Sequence, residues 1–548
     1  MKPRQPIMHV ARRFSRFATT RPIVAQLRTA ATHVQKRAGD ISDAFQSLSG
    51  QQFAPLAPQY AELKGRLIKG REDAIRESWE RLLRDLREEI PIIVELGSKV
   101  VPEINFKDIG NASESFKQEH GKRGVAVVRG VVPEKEALQW KEELREYIRK
   151  NPHTKGASIS IPSLRPHHLL QELPSPVPRC PVTWLTASTA FPADNPQVYE
   201  LYWSRTQLQA RAHPQLLQTH RFLMSFWHGA DPSAAISTQH PTSYADRLRM
   251  RQPGDAKFAL GPHVDGGSVE RWDERGYGLG GVYNAIWDGQ WERFDPWEAS
   301  CRLPVVSDLH QGVGACSMFR MYQGWLSLST TAPNEGTLLV NPLLAKTTAY
   351  YLLRPFFSPR RGVPAGAQTA TAAVTASADF LSPANWTLDP APSAWLQGAH
   401  PGHGQELSPL LHPHLDLARS MVHVPTVRPG DYVAWHCDAV HAVDRVHAGK
   451  ADSSVLYIPA CPLTERNAEY LVRQRDVFMR GVPSPDFGGG EGESRHVGRV
   501  KVEEVEELVG EGGARAMGLK EWDSSKGDLA AGEKEAMDRA NKVLGFYM

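Results

Sequence analysis

Between Phe258 and Pro462 the chain reads as a succession of short apolar, β-branched or aromatic runs, each closed by Gly, Pro, Asn or Asp. The runs are FALGPHV, CSMFRMYQGWLSLS, GTLLVNPLL, TAYYLLRPFF, MVHVPTV, DYVAWHC, HAVDRVH and SVLYIPA, and no long amphipathic segment separates them. Strands joined without crossover helices do not build a doubly wound parallel sheet, so the pattern predicts a sandwich or barrel. One stretch interrupts the series: residues 358–413 include the uncharged GVPAGAQTATAAVTASA and then Pro, Gly and His in excess, which predicts a loop insertion.

Around this core the period changes. Tyr60 to Val101 places apolar residues three and four apart among i,i+4 charge pairs, predicting amphipathic helix broken near Pro91. Gly124 to Val132 is a β-branched strand, and PEKEALQWKEELREYIRK after it is a helix with Pro133 at its start. From Gly488 a Gly-rich and then charged segment predicts capping helices. The expected organisation is a basic leader at 1–40, a helical region at 41–120, a mainly β domain with flanking helices at 121–487 and a helical cap at 488–548.

Charge and cysteine content narrow the function classes. The chain carries 64 Lys+Arg against 61 Asp+Glu, but residues 1–39 hold nine basic residues and no acid. The remainder therefore has 55 basic against 61 acidic residues, a net −6 that disfavours nucleic acid as a partner. The acid-free leader, with Arg among Phe14, Phe17, Ile23, Val24 and Leu27, has presequence character, so a cytoplasmic or mitochondrial matrix location is expected. No run of 18 apolar residues predicts a membrane span, and the chain is expected to be soluble. Five widely spaced cysteines form no CxxC pair, which argues against a disulfide framework or a thiolate zinc site. No GxGxxG after a strand, P-loop, GxSxG or HExxH is present.

Two constellations carry chemistry. Gly261-Pro262-His263-Val264-Asp265-Gly266-Gly267 ends an apolar run, and residues two apart in a strand share a face, so His263 and Asp265 can offer a nitrogen and a carboxylate oxygen to one point. Pro429-Gly430-Asp431 turns into a strand that delivers His436, Asp438 and His441. His436 and Asp438 form a second HxD, on the strand face opposite Val433, Trp435 and Cys437, while His441 lies beyond a turn at Asp438-Ala439. On spacing alone His436 is either a ligand or a packed core histidine, and Asp438 either a ligand or a turn carboxylate. Two histidines and one carboxylate hold a divalent metal on one face and leave positions open for substrates.

Taken in order, GPHVDGG, QGWLSLSTTAPNEGTLLVNP and VRPGDYVAWHCDAVHAV resemble the double-stranded β-helix (jelly-roll, cupin-like) of the Fe(II)/2-oxoglutarate-dependent dioxygenases. More closely, RMYQGW, SSVLYIPACP and the terminal MGL…AN…LGF make the chain from Tyr60 onward similar to the YbiU-like family. The resemblance implies metal ligation by His263, Asp265 and His441, with His436 outside the ligand set, and Fe(II), 2-oxoglutarate and O2 acting on a small organic substrate. It also implies a basic anchor for the far carboxylate of 2-oxoglutarate nine to fifteen positions beyond the distal histidine. There the chain offers Lys450 but nothing basic on the strand Ser453 to Pro459; Arg320 and Arg354, in earlier apolar runs, are the other candidates. Two rival readings remain at this point: a cupin-like hydrolase or isomerase using the same triad with Zn²⁺ or Mn²⁺, and a binding module without turnover. The aromatic, Gly-rich stretch from Trp272 to Trp297 reads either as a substrate lid or as core anchors. Oligomeric state is not encoded in any visible pattern.

Overall fold

The structure, a computed structural model, describes residues 44–45, 55–152, 154, 195–313, 315–361 and 377–547. The basic leader expected at 1–40 lies outside the described residues, as does the middle of the 358–413 segment.

The N-terminal part is helical. Gln59–Ile68 and Glu72–Leu96 are helices separated at Gly70, whose φ of 75° closes the first. The second buries Ile75, Trp79, Leu82, Leu83, Leu86, Ile90 and Ile93 along one stripe. It runs through Pro91 instead of breaking there, the proline ring lying on the exposed face. Two strands, β1 (Glu103–Asn105) and β2 (Val125–Arg129), pair in parallel around the helix Glu114–Arg123. The helix Glu134–Lys150 follows Pro133 as expected.

The remaining strands are β3 (Val198–Tyr199), β4 (Ile236–Thr242), β5 (Leu248–Arg251), β6 (His263–Val264), β7 (Tyr322–Ser327) and β8 (Leu338–Val340), then β9 (Phe357–Pro359), β10 (Trp386–Leu388), β11 (Gln405–Glu406), β12 (Val422–His423), β13 (Tyr432–His436), β14 (His441–Val443), β15 (Ser453–Tyr457) and β16 (Cys461–Thr464). They form a seven-stranded sheet in the order β1-β2-β13-β7-β15-β5-β3 and a five-stranded sheet in the order β11-β6-β14-β8-β12, with two-stranded pairs β9-β10 and β4-β16. Apart from β1-β2, every pairing is antiparallel. In chain order β5, β6, β7 and β8 alternate between the two large sheets, and β12, β13, β14 and β15 alternate in the same way.

The architecture is thus mixed α+β with two open sheets, and the closed barrel expected from the strand spacing is not formed. Closure needs continuous hydrogen bonding from last strand to first; the smaller sheet has strands of only two or three residues and ends at β11 and β12. A second correction concerns TAYYLLRPFF, expected as a strand: Leu344–Leu353 is a helix and only its end, Phe357–Pro359, is β9. The helix is buried on nearly every side, so the run lacks the polar face that betrays a helical period. Within the insertion, β10 pairs with β9, and β11 extends the smaller sheet beside β6, so this segment is part of the fold.

Glycine is required where the chain passes close to itself. Gly430 has φ of 89°, and a Cβ there would lie 2.0 Å from the Val132 carbonyl oxygen. The neighbouring Asp431 accepts from the backbone N–H of Gly130 at 2.8 Å and of Arg428 at 2.9 Å, and pairs with Arg129 at 2.6 Å. The Gly-Asp signature therefore ties the start of β13 to the end of β2.

Candidate active site

A cavity of about 1020 Å³, its open mouth included, is walled by residues of both large sheets. The larger sheet contributes Gln323, Gly324 and Trp325 of β7, Trp435 of β13, Tyr457 of β15 and Arg249 of β5; the smaller contributes His263 of β6, Leu338 of β8, and His441 and Val443 of β14.

His263 and His441 are directly paired residues of β6 and β14. Antiparallel partners project from the same face, so the register alone brings the imidazoles together, with ring centroids 4.1 Å apart. Asp265 follows β6 at a Gly-Gly turn and points its carboxylate at both: His263 Nε2 lies 3.6 Å from one oxygen and His441 Nε2 3.7 Å from the other. Both Nδ1 atoms face backbone carbonyls, His263 that of Gly261 at 2.7 Å and His441 that of Ala439 at 3.1 Å. A proton on each Nδ1 satisfies those contacts and leaves the Nε2 lone pairs converging.

The electrostatics match this tautomer. Burial, reinforced by His263, pushes His441 down to about 3, so its imidazole is neutral. Burial would raise Asp265, but His263, His441, Arg320 and Arg247 outweigh it and hold the carboxyl below its ordinary range. Two imidazoles and an ionised carboxylate, their ligand atoms within 4.8 Å of one another, form a donor set that fits a divalent metal.

The second HxD is not equivalent. His436 lies on the opposite face of β13 from Trp435, stacked on Trp227 at 4.6 Å and 4°. Its Nε2 meets the Pro296 carbonyl at 2.9 Å and its Nδ1 accepts the Asp438 N–H at 3.0 Å, so both nitrogens are used. The Cys437 thiol is pushed up to about 12 by burial, leaving it protonated. Asp438 is held by Arg271 at 2.7 Å and Arg302 at 2.5 Å. Arg271 also donates to the Asp265 carbonyl at 2.9 Å. One guanidinium thereby connects the loop carrying Asp265 to the turn that precedes His441.

The three anchor candidates separate. Arg320 lines the cavity. Arg354 does not: it donates to the carbonyls of Leu411 at 2.9 Å and Phe357 at 2.7 Å and lies over Trp386, holding the insertion to the helical layer. Lys450 is exposed in the turn before β15. The sequence reading missed Arg249, on β5, which donates to Ser453 Oγ at 3.3 Å and whose buried Nε has no hydrogen-bond acceptor among the described residues. RLRMR at 247–251, three arginines at a period of two, was the available signal. The aromatic stretch resolves as packing, with Trp272, Tyr283, Trp287 and Trp291 all buried.

Fold and site together define a mixed α+β protein whose two large, mainly antiparallel sheets wall a cavity with a His-Asp-His donor set on one side. The chain belongs to the Gig2-like family, whose model matches residues 54–519. It is 28% identical over 437 residues to the uncharacterized protein YbiU of Escherichia coli K12, covering 79% of this chain and 88% of that protein. The crystal structure of the GlcNAc Inducible Gene 2 product of Candida albicans superposes with a TM-score of 0.71 at 27% identity, covering 90% of this chain and 96% of that one. A Salmonella typhimurium LT2 protein described as a candidate oxidoreductase superposes with a TM-score of 0.64 at 27% identity, covering 84% and 96%.

Proposed function

We propose that the protein is an Fe(II)- and 2-oxoglutarate-dependent oxygenase acting on a small organic molecule. The observation that carries the reading is the His263-Asp265-His441 set, with converging Nε2 atoms and both Nδ1 atoms on carbonyls. The strand order supports it: β5 to β8 and β12 to β15 each alternate between the two large sheets, an alternation compatible with a double-stranded β-helix. The relative described as a candidate oxidoreductase points the same way.

In this reading His263, Asp265 and His441 hold the metal on one face. When bound, iron with O2 and 2-oxoglutarate would supply the oxidising power for oxygenation of the substrate, 2-oxoglutarate being consumed to succinate and CO2. The remaining chemistry belongs to the chain. Arg249 takes the far carboxylate of 2-oxoglutarate, because its guanidinium reaches Ser453, twelve positions beyond His441, where the resemblance calls for a basic residue. The anchor has in effect moved to the adjacent strand, β5 supplying the charge that β15 lacks. Leu260, Leu338 and Val443 line the same cavity with apolar surface and limit the water that reaches it.

The test is turnover. With Fe(II), O2 and 2-oxoglutarate, the protein is expected to release succinate slowly even without primary substrate, and His263→Ala to release none. Absence of succinate from wild-type protein loaded with iron would overturn the assignment.

A further inference from the structure

Three arginines line the cavity, and they differ in what already balances them. Arg247 is compensated twice, 3.2 Å from Asp246 and 3.8 Å from Glu200, with its guanidinium 4.4 Å from the Phe487 ring centre. Arg249 bonds Ser453 and, in the oxygenase reading, receives the far carboxylate of 2-oxoglutarate. Arg320, just before β7, has neither. Its guanidinium sits 5.4 Å from the centre of the Tyr244 ring, and among the described residues no carboxylate stands within ion-pair distance and no hydrogen bond is made by its donors. A ring face attracts a cation but accepts none of the five guanidinium N–H bonds in the fork geometry that a carboxylate or phosphate matches.

Its position is informative as well. Arg320, Gln323 and Asp265 line both the main cavity and a smaller adjoining one that also meets Tyr277, Ser307 and Arg466. The positive charge of Arg320 acts on both Asp265 and His441, whereas Arg249 stands among the groups acting on Tyr457 and Arg251, at the β5-β15 side. Once Asp265 ligates a dication it no longer balances Arg320. 2-Oxoglutarate brings two carboxylates, one to the metal and one to Arg249, and so leaves Arg320 with no ion-pair partner of its own; Asp246 acts on it from beyond ion-pair distance and is itself paired with Arg247.

We propose that the primary substrate carries an oxyanion, a carboxylate or phosphate, and that Arg320 receives it beside the metal centre. The proposal rests on the oxygenase reading for its division of labour between Arg249 and Arg320. The flanking Tyr244, Val313, Trp325 and Phe487 give the rest of that substrate an aromatic and apolar wall.

The experiment titrates anaerobic protein, loaded with Fe(II) and 2-oxoglutarate, with inorganic phosphate and separately with acetate, against chloride at matched ionic strength. Wild type is expected to show a saturable rise in Tm with one of the two oxyanions, which also identifies the preferred class. Arg320→Leu should weaken that binding at least tenfold while leaving the visible charge-transfer band and the 2-oxoglutarate affinity in place, and Arg320→Lys should retain part of it. No oxyanion binding by wild type, or equal binding by Arg320→Leu, would overturn the proposal. So would loss of 2-oxoglutarate affinity in Arg320→Leu, which would make Arg320 the cosubstrate anchor. If wild type forms no band at all, the oxygenase reading fails separately, and the oxyanion titration of the same samples still decides the role of Arg320.

Discussion

At the scale of single residues, the site is built by strand register and completed by tautomer choice. His263 and His441 meet because β6 and β14 pair them, and Asp265 joins them because a Gly-Gly turn follows. Removing either imidazole should therefore cost metal affinity more than fold stability, since the hydrogen bond lost with each ring is only that of its Nδ1. His441→Ala is expected to fold and to bind Fe(II) too weakly to survive gel filtration, as metal analysis of the eluted protein would show. Arg249→Leu is expected to raise the Kd for 2-oxoglutarate by about 10- to 100-fold, from a charge-assisted interaction of ~1.5–3 kcal/mol; an unchanged Kd would move the anchor elsewhere. Period-two spacing and the turn after β13 are local signals that nominate His263, Asp265, His436, Asp438 and His441 from sequence, whereas the choice of His263, Asp265 and His441 among them comes from the resemblance. Arg249 was not picked out, because its role depends on β5 lying beside β15, a pairing that joins residues some two hundred positions apart.

At the scale of elements, the loop carrying Asp265 and the turn before His441 are held together by a buried ionic clamp. Asp438, fully buried, takes one guanidinium from each of Arg271 and Arg302, and Tyr283 donates to it at 3.2 Å. Breaking such a network leaves charges buried without partners, so Asp438→Asn should destabilise the protein by about 3–5 kcal/mol, measurable by denaturant unfolding. Arg271→Met, which also frees the Asp265 carbonyl, should in addition weaken Fe(II) binding by about 10- to 100-fold, as loss of outer support around a metal site does. An Arg271→Met protein with wild-type metal affinity would show that the clamp serves stability alone. Element type was readable where one face is polar, as in Glu72–Leu96 and Glu134–Lys150, and unreadable where none is. The helix Leu344–Leu353 packs Tyr350 against Trp79, with ring centres 5.2 Å apart, and its all-round burial made it look like a core strand. The 358–413 segment has the sequence of a loop because β11 is only two residues long and depends on β6 for its existence.

At the scale of the whole molecule, the C-terminal segment is locked to the core through Glu493. This fully buried carboxyl accepts the backbone N–H groups of Tyr202 and Trp203 at 2.7 and 2.8 Å and the Tyr147 hydroxyl at 3.2 Å. Burial nevertheless pushes it up to about 7. Between its unfolded value near 4.5 and 7 the folded chain retains a proton that the unfolded chain has lost, so this group's contribution to stability falls as pH rises through that window. Glu493→Gln stays neutral and should remove that component, giving a flatter profile of Tm against pH than wild type between pH 5 and 7.5; parallel profiles would mean that Glu493 is ionised in the folded protein throughout. The open-sheet architecture itself was only half legible: local runs marked the strands, but whether they close into a barrel depends on long-range pairing. Among the described residues no helix is long and apolar enough to cross a membrane.

Anaerobic titration of metal-free protein with Fe(II) and then 2-oxoglutarate tests most directly whether the cavity holds the two together. A visible metal-to-ligand charge-transfer band that requires both additions and is absent from His441→Ala is the predicted result. Iron bound by wild type with no band on adding 2-oxoglutarate, or a band that survives in His441→Ala, would contradict it.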